Sequence, residues 1–197
     1  MKAELLPLCV DLDDTLVLGD TVFAAVRQLI REKPQLLPAF FLKFITGGRP
    51  AAKIFLAKLF PVDPAALRYR EELLSYLCAE KQQGRKLYLV SAATQDTVDR
   101  IAAHLKLFDA AYGSSATHNL KGSNKAAFIA EKISPRFAYA GDSFADLAIW
   151  KKAEAAILCG GKARILQACL GREAAMVLPH RHPSSGASAA RTEPRAR

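Results

Sequence analysis

The run Leu5-Leu6-Pro7-Leu8-Cys9-Val10, followed at once by Asp11-Leu12-Asp13-Asp14-Thr15, decides how the rest of the chain is read. An apolar strand that ends in three carboxylates needs a reason to gather that much negative charge. In extended backbone the side chains alternate faces, so Asp11 and Asp13 point the same way at the strand's carboxyl end while Leu12 returns to the core. Two carboxylates then share one mouth. That is unfavourable unless a cation neutralises one or a proton occupies the other, and phosphoryl-transfer chemistry uses both solutions. Taken alone, the pentapeptide reads equally well as an acidic turn capping the next helix.

Further apolar strands recur at residues 86–90, 110–112, 136–140 and 155–158, separated by helical stretches, which is the pattern of a parallel sheet covered on both faces. Several end in polar residues. Asp11 follows the first strand, Ser91 the second and Gly141-Asp142 the fourth, so three polar sites converge at the carboxyl edge where open α/β sheets bind ligands. Residues 174–178 add a candidate edge strand.

Between the first two strands lies an insertion of roughly 60 residues, at 19–83, far longer than an ordinary crossover. It is expected to form a separate helical cap, with the α/β core made of residues 1–18 and 84–179. Asp20 can cap a helix running to about Glu32, and Leu36, Leu37, Phe40, Phe41, Phe44 and Ile45 then follow helical spacing until Gly47-Gly48. Further helices are expected over 51–60 and 64–80, the latter opened by Asp63 and Pro64. The phenylalanines can form the cap's own core or line an apolar channel. With Lys43, Arg49, Lys53 and Lys58 nearby, the segment is also compatible with an anionic lipid surface.

The chain has 197 residues, 51% of them hydrophobic, enough for one substantial core and a lid. Its longest apolar stretches, 36–45 and 86–93, fall short of the roughly 18 residues of a spanning helix. Asp11, Asp13 and Asp14 interrupt the only early apolar segment, so a secretion signal is not expected and the cytoplasm is the expected compartment. Cys9, Cys78, Cys159 and Cys169 show no paired metal-ligand spacing and read as buried free thiols. Of the formal charge of +9, residues 180–197 contribute four arginines against one glutamate and read as a disordered basic tail, in which His180 and His182 are incidental. The remaining basic excess is spread out, and no aromatic-plus-basic RNA motif accompanies it, so no nucleic-acid partner is expected.

Asp11-Leu12-Asp13-Asp14-Thr15, Ser91 after Leu87-Tyr88-Leu89-Val90, Lys121-Gly122, and Gly141-Asp142-Ser143-Phe144-Ala145-Asp146 occur in an order that resembles the haloacid dehalogenase-like (HAD) hydrolase superfamily. The resemblance covers about residues 5–160 and looks nearest the phosphoserine phosphatase-like branch. More closely still, residues 119–122 and 139–150 resemble the HAD domain fused to membrane prenyltransferases of the aromatic-polyprenyl type. It implies a Rossmann-like α/β core with a parallel sheet and an inserted helical C1-type cap. It also implies a Mg²⁺-dependent phosphatase acting on a small or lipid-linked phosphate. A weakly catalytic partner domain of a membrane prenyltransferase is the alternative.

On that resemblance Asp11 is the nucleophile that forms an aspartyl-phosphate, and Asp13 protonates the leaving oxygen and then activates water. Asp14 reads as a turn or capping residue. Mg²⁺ is expected at Asp11 and Asp142, with the backbone carbonyl of Asp13, and with Asp146 as a supporting or alternate ligand. Ser91 and the Ala92 N–H are expected to bind phosphate oxygens at a helix N-terminus. Lys121, followed by Gly122, is assigned the balancing positive charge. Lys125, one helical turn on, is its rival and is expected to face solvent or play a supporting part.

Overall fold

The computed structural model describes residues 5–115 and 119–178. Six parallel strands form one sheet in the order β3-β2-β1-β4-β5-β6: β1 Leu8–Val10, β2 Leu87–Thr94, β3 Ala110–Ser114, β4 Ala138–Gly141, β5 Ala155–Cys159 and β6 Met176–Leu178. The expected α/β fold is present, with an edge strand close to the expected one. The expected basic tail at 180–197 lies outside the described residues.

Burial explains why β1 reads as an uninterrupted apolar run. Leu8 and Val10 pack on one side with Leu73 and Leu77 of α3 (Glu71–Gln82) and Val98 and Ile101 of α4 (Gln95–Leu105). Cys9 packs on the other with Ala126 and Ile129 of α5 (Ser123–Lys132), Trp150 of α6 (Leu147–Trp150) and Leu166 of α7 (Ala163–Leu170). A strand covered on both faces has no polar alternation to display. β1 lies between β2 and β4, where the strand order reverses, and its neighbours' crossovers leave in opposite directions. The loops after β1 and β4 therefore splay apart and leave a crevice at the carboxyl edge.

The insertion after β1 divides differently from the expectation. Its first part is a helical cap: α1 (Thr21–Glu32), capped by Asp20 through the Phe23 N–H, a short 3₁₀ turn at Pro34–Leu36, and α2 (Leu37–Leu59). α2 is two helices joined at Gly48, whose φ of 64° and ψ of −164° are accessible to glycine at little cost. Leu29, Leu56 and Phe60 form the cap's own small core. The helix expected over 64–80 breaks instead. Pro64–Ala66 is a single 3₁₀ turn, Leu67 is extended, and α3 starts after Arg70. Because Leu73 and Leu77 are fully buried beside β1, α3 belongs to the sheet's helical layer and not to the cap.

The cysteines also depart from expectation. Cys9 and Cys159 are buried, and burial pushes both thiols up to about 12, whereas Cys78 and Cys169 are exposed.

Membership of α3 in the core has a measurable consequence. Leu77→Ala is expected to destabilise the whole domain by about 2–5 kcal/mol, moving one cooperative urea transition to lower concentration. If the main transition stayed in place and only a minor early phase shifted, α3 would belong to an independently folding cap.

Candidate active site

Two loops at the carboxyl edge carry the acidic residues. After Val10 the chain turns through Asp14, a non-glycine residue at φ 55°, a conformation that aspartate tolerates better than most side chains. The turn is pinned from outside by Arg70. Its buried guanidinium donates from Nε to the Thr15 carbonyl at 2.9 Å and from Nη2 to the Asp14 carbonyl at 2.8 Å. On the other side of the crevice, Gly141 is needed for close approach: a Cβ there would meet Asp146 Oδ2 and Tyr139 Cε1 at 2.8 Å.

The two loops face one cavity of about 480 Å³, which Asp11, Asp13, Ser91, Ala92, Lys121, Lys125, Asp142 and Asp146 all line. The residues expected to act together are therefore brought together, with one reassignment. The cation on Asp11 is Lys125, whose Nζ lies 2.8 Å from Asp11 Oδ1 and whose side chain is 2% exposed. Lys121 lines the cavity from the exposed stretch before α5. The cause is local: Gly122 adopts φ 55° and ψ −127° as the cap of α5, so Lys125 falls on the first turn of that helix, on the face of Ala126 and Ile129. Its place at i−4 from Ile129, in phase with the apolar stripe, was the available sequence signal.

Lys125 Nζ also donates to the Tyr139 hydroxyl at 2.9 Å, and that hydroxyl donates to Asp146 Oδ1 at 3.0 Å. Burial, followed by the charges of Asp11 and Asp146, keeps the Tyr139 phenol well above its usual value, so it stays a neutral donor. This chain Asp11–Lys125–Tyr139–Asp146 ties β1, α5, β4 and the 3₁₀ turn Phe144–Asp146. Tyr139 was read only as a strand residue. Nothing in a period-2 pattern separates a phenol that packs from one that also bridges two charges.

The carboxylates differ in character. Burial pushes the Asp11 carboxyl above the ordinary range, and the Lys125 ammonium opposes that shift. Asp11 Oδ1 also accepts from the Leu12 N–H at 2.8 Å, so the bonds found among the described residues leave Oδ2 uncommitted. Asp13 accepts from the Thr21 N–H of α1 at 2.7 Å, yet burial, assisted by Asp20 and Asp11, raises it to about 6. Asp142 is pushed up to about 7 by burial and by the charges of Asp11, Asp146 and Asp14.

Oxygen atoms of Asp11, Asp142 and Asp146 lie within 4.8 Å of one another, a donor set of hard carboxylates that fits a divalent cation such as Mg²⁺. Asp146 is already engaged. Its Oδ2 accepts from the N–H and hydroxyl of Ser143 and from the Asp142 N–H, forming the capping box of its turn. It holds the loop in place, and Asp11 and Asp142 are the carboxylates left for a cation. The Asp13 carboxylate stands outside this group, turned to Thr21.

Ser91 is not at the end of its strand as expected, because β2 continues to Thr94 with a shift of register after Val90. Its hydroxyl accepts from the Ala93 N–H at 3.0 Å, which leaves the hydroxyl proton available to an anion in the cavity. The cap closes over this wall. Lys53 of α2 donates to the Ala92 carbonyl at 2.8 Å, and Phe40, Phe44, Arg49 and Leu56 complete the cavity from above.

The family model for haloacid dehalogenase-like hydrolases matches residues 8–151. An uncharacterised protein of Sinorhizobium fredii (strain NBRC 101917 / NGR234), y4nM, is 43% identical over 159 residues, covering 79% of this chain and 30% of the relative, so the chain spans less than a third of that relative's length. Among solved structures, a protein of unknown function from Bordetella pertussis Tohama I superposes with a TM-score of 0.63 at 15% identity, over 87% of this chain and 97% of that one. A substrate-bound phosphoserine phosphatase superposes with a TM-score of 0.58 at 16% identity, over 90% and 94%. At such identities the likeness is one of fold.

The two lysines should separate in stability. Lys125→Met leaves the Asp11 carboxylate without its counter-charge and is expected to cost about 3–5 kcal/mol in urea unfolding at neutral pH, whereas Lys121→Met should stay within about 0.5 kcal/mol. Equal effects would remove Lys125 from its place beside Asp11.

Proposed function

The chain belongs to the haloacid dehalogenase-like hydrolases, and we propose that it is a Mg²⁺-dependent phosphomonoester hydrolase working through an aspartyl-phosphate on Asp11. One observation carries the reading. Two carboxylates two residues apart line the same cavity with different partners: Asp11 is paired with a buried ammonium, whereas Asp13 accepts from the Thr21 N–H and is raised by burial to about 6.

The roles follow from these environments. Asp11 Oδ2 forms the bond to phosphorus while the bond from phosphorus to the ester oxygen breaks, and Asp13 gives its proton to that departing oxygen. The Asp13 carboxylate then takes a proton from water, whose oxygen attacks phosphorus and releases Asp11 with inorganic phosphate. Lys125 favours the ionised form of Asp11 against the effect of burial and balances the approach of an anion to it. Ser91, with its free hydroxyl proton, binds a phosphoryl oxygen. Asp11 and Asp142 would hold a divalent cation, which when bound would supply positive charge against the phosphoryl group.

Arg49, Lys53 and Lys121 line the cavity beyond the acidic floor, and Phe40, Phe44 and Leu56 add an apolar wall. An anionic head with an apolar tail suits that lining, which favours a lipid-linked phosphate over a small polar one. The resemblance of residues 119–122 and 139–150 to domains fused to membrane prenyltransferases supports the same preference.

Turnover of an aryl phosphate is expected to require Mg²⁺ or a similar divalent ion and to stop on chelation. Asp11→Asn should abolish turnover with the fold intact, and full activity in that variant would overturn the mechanism. Asp13→Asn should slow an alkyl phosphate by about 10²-fold or more and an activated nitrophenyl phosphate less, because only the poor leaving group needs the proton. The same logic fixes the pH profile. The useful form of Asp13 is protonated, so alkyl phosphate turnover should fall as pH rises through about 6, with a weaker decline for the nitrophenyl ester. Parallel profiles for the two esters would count against Asp13 as the acid.

A further inference from the structure

The cap carries a feature that catalysis does not use. Ten large hydrophobic side chains are markedly exposed among the described residues, and six of them, Phe23, Ile30, Phe41, Leu42, Phe44 and Ile45, stand on α1 and α2. The densest group is on the first half of α2, where Phe41, Leu42 and Ile45 are 57%, 60% and 78% exposed. At one residue per 100° these three fall on one arc, while Phe40 and Phe44, which line the cavity, fall on the adjoining arc. One helix thus turns an aromatic face into the site and an apolar crest outward, and Phe44 belongs to both.

Charge bears on what could cover the crest. Residues 33–62 contain no aspartate or glutamate; of their five basic residues, Lys43 and Lys58 are exposed, while Arg49 and Lys53 line the cavity and Lys33 lies over the Phe60 ring. Arg27 and Arg31 lie on α1 in the same turns as Phe23 and Ile30. A protein partner would need an apolar and acidic surface shaped to fit. A bilayer of anionic lipid offers both components without shape, and exposed apolar side chains among cations form the pattern of a helix lying in its interface. No described helix is long and apolar enough to cross a membrane.

We propose that the cap docks on an anionic lipid bilayer through the Phe41-Leu42-Ile45 crest of α2 and its flanking cations, so that the active-site cavity opens beside the headgroups of a bilayer-resident phosphomonoester. The choice of substrate class rests on the phosphatase reading above, whereas docking itself does not.

The test is sedimentation of the chain with vesicles of phosphatidylcholine alone and of equal parts phosphatidylcholine and phosphatidylglycerol. The wild type should bind the anionic vesicles at least about tenfold more tightly, with the advantage reduced by salt. The double variant Phe41→Ser, Ile45→Ser should lose about tenfold or more in that binding, and the pair Arg27→Glu, Arg31→Glu should reduce the preference for anionic lipid. None of these residues lines the cavity, so turnover of a soluble aryl phosphate without vesicles should be unchanged in all variants. Melting curves check that the exposed substitutions leave the fold intact. The proposal is overturned by wild-type indifference to both vesicles, or by binding that the double variant retains. It is overturned equally by a wild-type dimer that the double variant dissociates without any vesicle binding, since a second copy would then cover the crest. Failure of the phosphatase reading would look different: vesicle binding intact, with no aryl phosphate turnover by the wild type.

Discussion

The ion pair between Asp11 and Lys125 is the constraint around which the site is arranged. Removing two charges from water costs several kcal/mol for each ion, and a pair at 2.8 Å recovers that only when its remaining valences are also satisfied. Here they are. Tyr139 takes the second proton of Lys125 and passes a hydrogen bond to Asp146, and the Leu12 N–H shares Asp11 Oδ1. The pair adds little net stability compared with an apolar core of the same volume. What it does is oppose the rise that burial imposes on a carboxylate next to two others, and it fixes β1, α5 and β4 in mutual register at the point where a phosphoryl group would sit.

The topology makes that concentration of charge affordable in space. Asp11 follows β1 and Asp142 follows β4, adjacent strands whose crossovers depart in opposite directions, so their loops bound a crevice that no helix fills. Arg70 then does from outside what Lys125 does from within. It is 4% exposed and bound to two carbonyls of the 11–18 loop, and it holds that loop against the repulsion of its own aspartates. Thr15 completes the link across the crevice, donating to Asp142 Oδ1 at 3.2 Å.

Most of this fold is legible in the sequence because central strands buried on both faces appear as unbroken apolar runs, and the acidic residues follow them directly. What was not legible depends on phase and on tertiary contact. Lys125 sits in the apolar stripe of α5, and it takes the position of Gly122 to show that the helix begins late enough to turn that lysine inward. Arg70 lay inside an expected helix, and only the break after Pro64–Ala66 frees it to reach the 11–18 loop. Leu73 and Leu77 suit a cap core as well as a sheet core, and the choice is made by proximity to β1. The register shift that carries β2 past Ser91 likewise has no local signature.

Hydrogen bonds of opposite direction join cap and core, and together they explain how a lid made of apolar helices can act on the chemistry. From the cap, Lys53 donates to the Ala92 carbonyl on the wall where phosphate is expected, bringing a half-buried ammonium whose own pKa burial pushes down. From the core, Asp13 accepts from the Thr21 N–H, the first amide of α1, where the helix dipole favours a carboxylate. That bond lowers the Asp13 pKa against a larger rise from burial. The backbone of the proposed acid thus belongs to the core and its carboxylate to the cap. Burial and the Thr21 N–H of α1 act on its proton affinity in opposite directions, so the cap reaches the group proposed to protonate the leaving oxygen.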